Sequence, residues 1–150
     1  CELFVGLRCC TNSTQAEQVE DAIWNVWMYD GHDGAVRALE RTCTDIAARC
    51  YDMAESRLML LLRRRPDWAE AWNKAATLYY LQDRDDESVS AIHRTLQIEP
   101  RHFGALCGLG EILRAQGENE AACLAFERAL RVHPQMEIVR KTLDSLRPVQ

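Results

Sequence analysis

Two consecutive stretches of the chain decide its fold. Residues 67–100 read DWAEAWNKAATLYYLQDRDDESVSAIHRTLQIEP, and residues 101–134 read RHFGALCGLGEILRAQGENEAACLAFERALRVHP. Both stretches end in proline, and Pro66, Pro100 and Pro134 follow one another at a constant spacing of 34 residues. At the same offset Leu78 aligns with Ile112, and Ile92 with Phe126. So regular a spacing indicates one structural unit that is repeated along the chain.

Each unit contains two helical patterns. In the first unit Ala71, Ala75 and Leu78 recur at helical spacing, and the second pattern uses Val89, Ile92 and Leu96. Polar residues separate the patterns at 82–87 and again at 116–120. Proline closes each unit because it lacks the backbone donor that would continue a helix. The sequence therefore predicts an all-α fold built from helix-turn-helix units.

These positions resemble the tetratricopeptide-repeat (TPR) signature. The first-helix positions of that signature correspond to Trp72, Ala75, Ala76 and Tyr79, then to Leu106, Leu109, Gly110 and Leu113. The second-helix positions correspond to Ser88, Ile92, Thr95 and Pro100, then to Ala122, Phe126, Ala129 and Pro134. The resemblance implies an α-solenoid that binds other proteins, with Gly110 placed where two paired helices touch.

The chain divides into five segments in this register. We predict an N-terminal helical extension packing on the array, a degenerate first repeat, two regular repeats and a capping helix, at 1–34, 35–66, 67–100, 101–134 and 135–150. In the extension, Ser13 or Thr14 with Glu17 is predicted to cap a helix, and the run 30–34 to break it, with Asp33 as a cap for the helix that follows. The first repeat is degenerate because Arg41, Thr42 and Asp45 replace apolar or small residues.

A narrower resemblance extends over the whole chain. The strings 68–74, 76–81 and 99–106, with Ile23-Trp24 and Trp27, are similar to short TPR proteins of alphaproteobacteria and their organellar relatives in photosynthetic eukaryotes. No established activity comes with that group. Ala75 departs from it, since an arginine is usual there, and so does the high cysteine content.

Composition excludes several classes of function. A formal net charge of −5 gives no support to nucleic-acid binding, and no apolar run is long enough to span a membrane. The chain begins at Cys1 without methionine, which suggests a processed or partial chain. We expect a soluble protein of a reducing compartment, with a plastid or mitochondrion and a removed targeting segment as one option.

No residue pattern predicts catalysis, a cofactor or a metal site. The four histidines, His32, His93, His102 and His133, lack partners at the spacing of zinc ligands. The seven cysteines form no C-x-x-C pair, so we interpret them as small apolar fillers. A redox sensor that uses Cys9-Cys10 remains an alternative, which alkylation kinetics would separate from inert filler.

The first helix of each unit is predicted to line a concave protein-binding face. The candidate binding residues are Glu70, Asn73, Lys74, Thr77, Tyr80, Glu111 and Arg114. The carboxylate clamp with which TPR co-chaperones hold a chaperone tail is excluded, because its basic and amide positions fall on Leu39, Cys43, Lys74, Gly104 and Gly108.

Two functions fit this surface. The first is a scaffold or accessory subunit of a larger complex, which should be unstable alone. The second is a transient assembly factor or adaptor that takes short peptides and is a stable monomer. The basic run Arg63–Arg65 complements the C-terminal end of a helix dipole, and an anionic docking patch is the alternative.

Overall fold

A computed structural model describes residues 2–29 and 31–147. Asp30 of the predicted break, and the end of the predicted capping segment at 148–150, lie outside the described residues. Within them the chain forms only helices, with no strand. The helices are α1 Glu2–Cys9, α2 Ser13–Met28, α3 Asp33–Ala47, α4 Tyr51–Arg64, α5 Ala69–Tyr80, α6 Asp85–Ile98, α7 Phe103–Ala115, α8 Asn119–Val132 and α9 Glu137–Leu146. The all-α prediction is confirmed.

The backbone repeats with the period that the sequence shows. Arg49, Asp83 and Gly117, spaced by 34 residues, all have positive φ, at 59°, 57° and 80°. After each of them an amide donates to the carbonyl five residues earlier, for example Glu118 N to Leu113 O at 2.9 Å. This left-handed residue and its hydrogen bond end the first helix of each pair and reverse the chain. Repeat 1 therefore shares the turn geometry of the two regular repeats.

The polar residues of the first repeat have local partners. The side chain of Thr42 is fully buried, and its hydroxyl donates to the Ala38 carbonyl at 2.9 Å. Asp45 on α3 pairs with Arg57 on α4 at 3.0 Å. The Thr42 hydrogen bond stays within α3, and the Asp45–Arg57 ion pair joins the two helices of the pair. Helix α3 begins at Asp33, just before the predicted boundary between residues 34 and 35.

Gly110 lies where α7 and α8 meet, as the TPR resemblance implies. A Cβ atom added at Gly110 would stand 2.5 Å from the Phe126 ring. Phe126 is buried together with Ala122 and Leu143, which connects the third pair to α9. The absence of a side chain at Gly110 is thus what allows the two helices to approach.

The helices group into two compact units. One comprises the residues up to Trp24 together with those from Arg101 onward, and the other is Asn25–Pro100. The predicted N-terminal extension is therefore shared between the units. In the described part of the chain no helix is both long and apolar enough to cross a bilayer.

Candidate protein-binding surface

In the unit Asn25–Pro100, α5 carries an exposed patch at its C-terminal end. Tyr80 is 46% exposed and Leu81 45%, and Thr77 is also exposed. The Thr77 hydroxyl donates to the Asn73 carbonyl at 3.1 Å. An aromatic ring beside aliphatic groups in solvent is the composition that protein interfaces favour.

Two of the seven candidate residues are buried, contrary to the expectation that they face solvent. Glu70 has no exposed surface and Asn73 is 8% exposed. The Asn73 amide donates to one Glu70 carboxylate oxygen at 3.0 Å, and the Lys74 ammonium lies 2.8 Å from the other. Helix α3 contacts α5. The pKa of the Cys43 thiol on α3 is raised by burial, and the nearby charges of Lys74 and Glu70 act on it in opposite directions. Glu70 and Asn73 are therefore not available to a partner, but they fix the position of Lys74 at the surface of α5.

Lys74 is held in its charged form by this network. Burial by itself would lower the pKa of the ammonium, but the charge of Glu70 and the hydrogen bond to it outweigh burial, so the pKa is raised. A quarter of the Lys74 side chain remains exposed. The arrangement presents one fixed cation next to the apolar patch.

In the other unit, α7 presents the remaining candidates. Arg114 and Glu111 form an ion pair one turn apart, at 2.7 Å, with 48% and 40% of their side chains exposed. An exposed pair of this kind contributes little to stability, so both groups are available to a partner. Nearby, burial and the charges of Glu111 and Glu20 raise the pKa of the Cys107 thiol to about 12. Cys107 stays protonated, in line with a filler role.

The two tryptophans of α2 contact residues at the start of later helices. Trp27 is buried, and its carbonyl accepts a hydrogen bond from the Trp68 indole at 2.7 Å. In the other unit Trp24 makes edge contacts with the rings of His102 and Phe103, at 5.6 and 5.3 Å between centroids.

The buried histidines have structural partners. The ring of His102 accepts the Ala105 amide at 3.1 Å and so caps α7. His133 lies 2.8 Å from a Glu20 carboxylate oxygen, and the Trp24 indole donates to the other oxygen of the same group at 3.1 Å. Among residues 2–29 and 31–147 no cluster of His, Cys, Asp or Glu is arranged to hold a metal ion.

A second exposed surface, which the sequence analysis does not identify, lies on α4. Met53, Arg57, Leu60 and Arg64 occupy one face of that helix, and we call this set the α4 stripe. The sequence feature that could have identified this stripe is a spacing of four, three and four residues, at which apolar and basic side chains alternate. The sequence analysis considers only the charge of the run Arg63–Arg65 and therefore does not detect the alternation.

Comparison with known proteins agrees with the repeat architecture. A TPR repeat-containing protein of Rhizobium etli is 39% identical over 82 residues, which make up 55% of this chain and 40% of that protein. Among solved structures, the first TPR domain of Spaghetti (RPAP3), bound to an HSP90 peptide, superposes with a TM-score of 0.70. It is 17% identical, and the match covers 75% of this chain and 89% of that domain. No protein-family model matches the sequence.

The chain is thus similar in sequence to a TPR repeat-containing protein and has the fold of a TPR helical-repeat array. It spans about two fifths of the length of its curated relative, so the activity of the whole bacterial protein does not transfer to it. The relative supports the TPR resemblance and does not test the organellar part of the narrower resemblance. The structural neighbour, being below 25% identity, shows the fold alone.

Proposed function

We propose that this TPR protein is a non-catalytic protein–protein interaction module that acts as a scaffold or accessory subunit of a larger complex. It contacts its partner through residues of its first helices that reach the surface. Thr77 and Tyr80 on α5 and Arg114 on α7 are exposed, and Lys74 on α5 and Glu111 on α7 are partly exposed. Glu70 and Asn73 complete the candidate set as buried supports.

The observation that supports this proposal most strongly is the fixed cation on α5. A fully buried carboxylate, which also accepts the Asn73 amide, holds the Lys74 ammonium on the same helix that exposes nearly half of Tyr80. A buried ion pair is seldom the most stable solution for a helix interface, because the desolvation of both charges offsets their attraction. We attribute the pair to preorganisation of a binding surface on α5, the helix at whose C-terminal end Thr77, Tyr80 and Leu81 are exposed.

The proposal predicts which substitutions weaken binding. Tyr80→Ala combined with Arg114→Ala should reduce the affinity for the native partner about 30-fold or more, because Tyr and Arg are the commonest interface hot spots. The partner is first identified by affinity purification and mass spectrometry, and the affinity is then measured by calorimetry. The matched control is His93→Ala with Arg128→Ala, which removes two exposed side chains from the second helices α6 and α8.

The control should bind like the unchanged protein, and both double variants should melt normally. If the Tyr80/Arg114 variant keeps full affinity while the control loses it, contact runs through the second helices and the proposed surface is wrong. Lys74 is left unchanged in this test because its removal would leave the buried Glu70 carboxylate without its counterion and would destabilise the fold. A transient adaptor remains the alternative, and a chain that is stable and monomeric without a partner would favour it.

A chaperone tail is not the expected ligand, although the RPAP3 domain is bound to one. Four of the five clamp positions, Leu39, Cys43, Gly104 and Gly108, carry no group that could hold a carboxylate, and Lys74 is engaged by Glu70. We expect the HSP90 peptide SRMEEVD to bind more weakly than about 1 mM in a fluorescence polarisation titration, a free energy of less than about 4 kcal/mol. Saturable micromolar binding that disappears when the peptide's carboxylate is amidated would show a working clamp.

A further inference from the structure

A pocket opens on the first helix pair, away from α5. Its volume is about 480 Å³, within the range of sites that bind ligands. Small residues at the start of α3, among them Ala35 and Ala38, create the space, and Leu60 and Leu61 of α4 form the apolar floor. Leu61 is buried, whereas Leu60 is 59% exposed. The pocket can therefore take an apolar side chain from outside.

The rim of this pocket is basic. Arg57, Arg64 and Arg65 line it together with His32, and none of its lining residues is acidic. Arg57 is paired with Asp45, and Arg65 contacts His32. No ion pair in the described part of the chain involves Arg64, whose side chain is exposed. In a chain of net charge −5, a local rim with three arginines is complementary to an acidic partner.

The shape of the apolar surface favours a helix over a small molecule. Met53 is 58% exposed and lies two turns before Leu60 on the α4 stripe, about 10 Å along the helix axis. Arg57 and Arg64 alternate with these two residues along the same face. A helix that lays one face along such a stripe presents residues three or four apart, which matches this spacing.

We propose that the α4 stripe and its pocket dock an amphipathic helix of a partner protein, whose apolar face is bordered by acidic residues. A large apolar side chain of that helix fills the pocket over Leu60 and Leu61. Its flanking carboxylates pair with Arg64 and Arg57 at the rim. This surface is separate from the one proposed on the first helices, so the two can fail or succeed independently.

The test uses a fluorescein-labelled helical peptide with Leu and Phe along one face and Glu on both borders. It should bind the unchanged chain saturably, and the affinity should fall as salt is raised, because exposed charges are screened. Leu60→Glu and Arg64→Glu should each weaken binding about tenfold or more. The matched controls are Met59→Glu and Arg63→Glu, which alter the neighbouring exposed residues outside the pocket.

Both controls should bind like the unchanged protein, and circular dichroism should show full helix content in all four variants. Equal binding by Leu60→Glu, Arg64→Glu and their controls would overturn the proposal. Equal binding of a peptide in which Lys replaces every Glu would also overturn the proposal, because the basic rim would then not select for carboxylates. If sedimentation shows a dimer that Leu60→Glu disperses, the occupant is a second copy of this chain and the proposed partner is wrong.

Discussion

Gly110→Leu should destabilise the protein by about 3 kcal/mol or more, the upper end of the range for overpacking a buried site. Even a Cβ atom at this position would stand 2.5 to 2.7 Å from three atoms of the Phe126 ring. Phe126 is itself 1% exposed and has no solvent side toward which it can turn. The helices α7 and α8 must therefore separate, and the apolar contacts behind Phe126 are lost with them. Urea unfolding followed by circular dichroism measures the effect.

Gly110→Ala and Gly34→Ala serve as graded controls for that substitution. Gly110→Ala should cost less than Gly110→Leu but more than a surface change, since the Cβ contact is common to both. Gly34 lies in the first turn of α3 with nothing within 4 Å of a Cβ atom, so Gly34→Ala should stay within about 0.5 kcal/mol. A free energy of unfolding unchanged by Gly110→Leu would contradict the helix pairing of the third repeat.

Lys74→Ala should have the second large effect, about 3 kcal/mol, and should exceed that of Glu70→Gln. Removal of Lys74 leaves a carboxylate with no exposed surface and without its counterion, which is among the most costly defects in a protein interior. Removal of the Glu70 charge leaves an ammonium that still has a quarter of its side chain in solvent. The double variant Lys74→Ala/Glu70→Gln should recover most of the loss, since no uncompensated buried charge remains.

The stabilising contribution of the Glu70–Lys74 pair should decrease at high pH. Because the folded-state pKa of Lys74 is raised above its ordinary value of 10.5, the pair contributes fully below that pH. The contribution is lost as the pH rises through the folded-state pKa of Lys74. Equal unfolding free energies for Lys74→Ala, the double variant and the unchanged protein would show that the buried pair plays no part in stability.

The sequence predicts helix bounds well where a local signal recurs. Pro66, Pro100 and Pro134 set the ends of the second helices, and the turn at Arg49, Asp83 and Gly117 keeps the same period. Arg49 is not a residue that favours positive φ. Its conformation follows from the surrounding helix pair, so the turn of the first repeat could be placed from the period but not from its own residue type.

Details that depend on tertiary neighbours could not be predicted. The register assigns Glu70 and Asn73 to the concave face, but it does not show that they are buried in a helix array in which α3 contacts α5. The N-cap of α2 also differs from the predicted residue, because it depends on the local backbone conformation. Asn12, rather than the predicted Ser13 or Thr14, accepts the Gln15 amide at the start of α2, at 2.9 Å. Asn and Ser are nearly equivalent caps, and only the observed backbone decides between them.

Site-specific photo-crosslinking tests the central claim most directly. A photoreactive phenylalanine analogue is placed at Tyr80 on α5 and, in a separate variant, at His93 on α6, and the crosslinked products of the purified complex are identified by mass spectrometry. Both positions are exposed in the isolated chain, so both variants should fold. A protein-binding surface on the first helices predicts a crosslink to the partner from position 80 and none from position 93. A crosslink from position 93 alone would contradict the account and move the binding surface to the second helices.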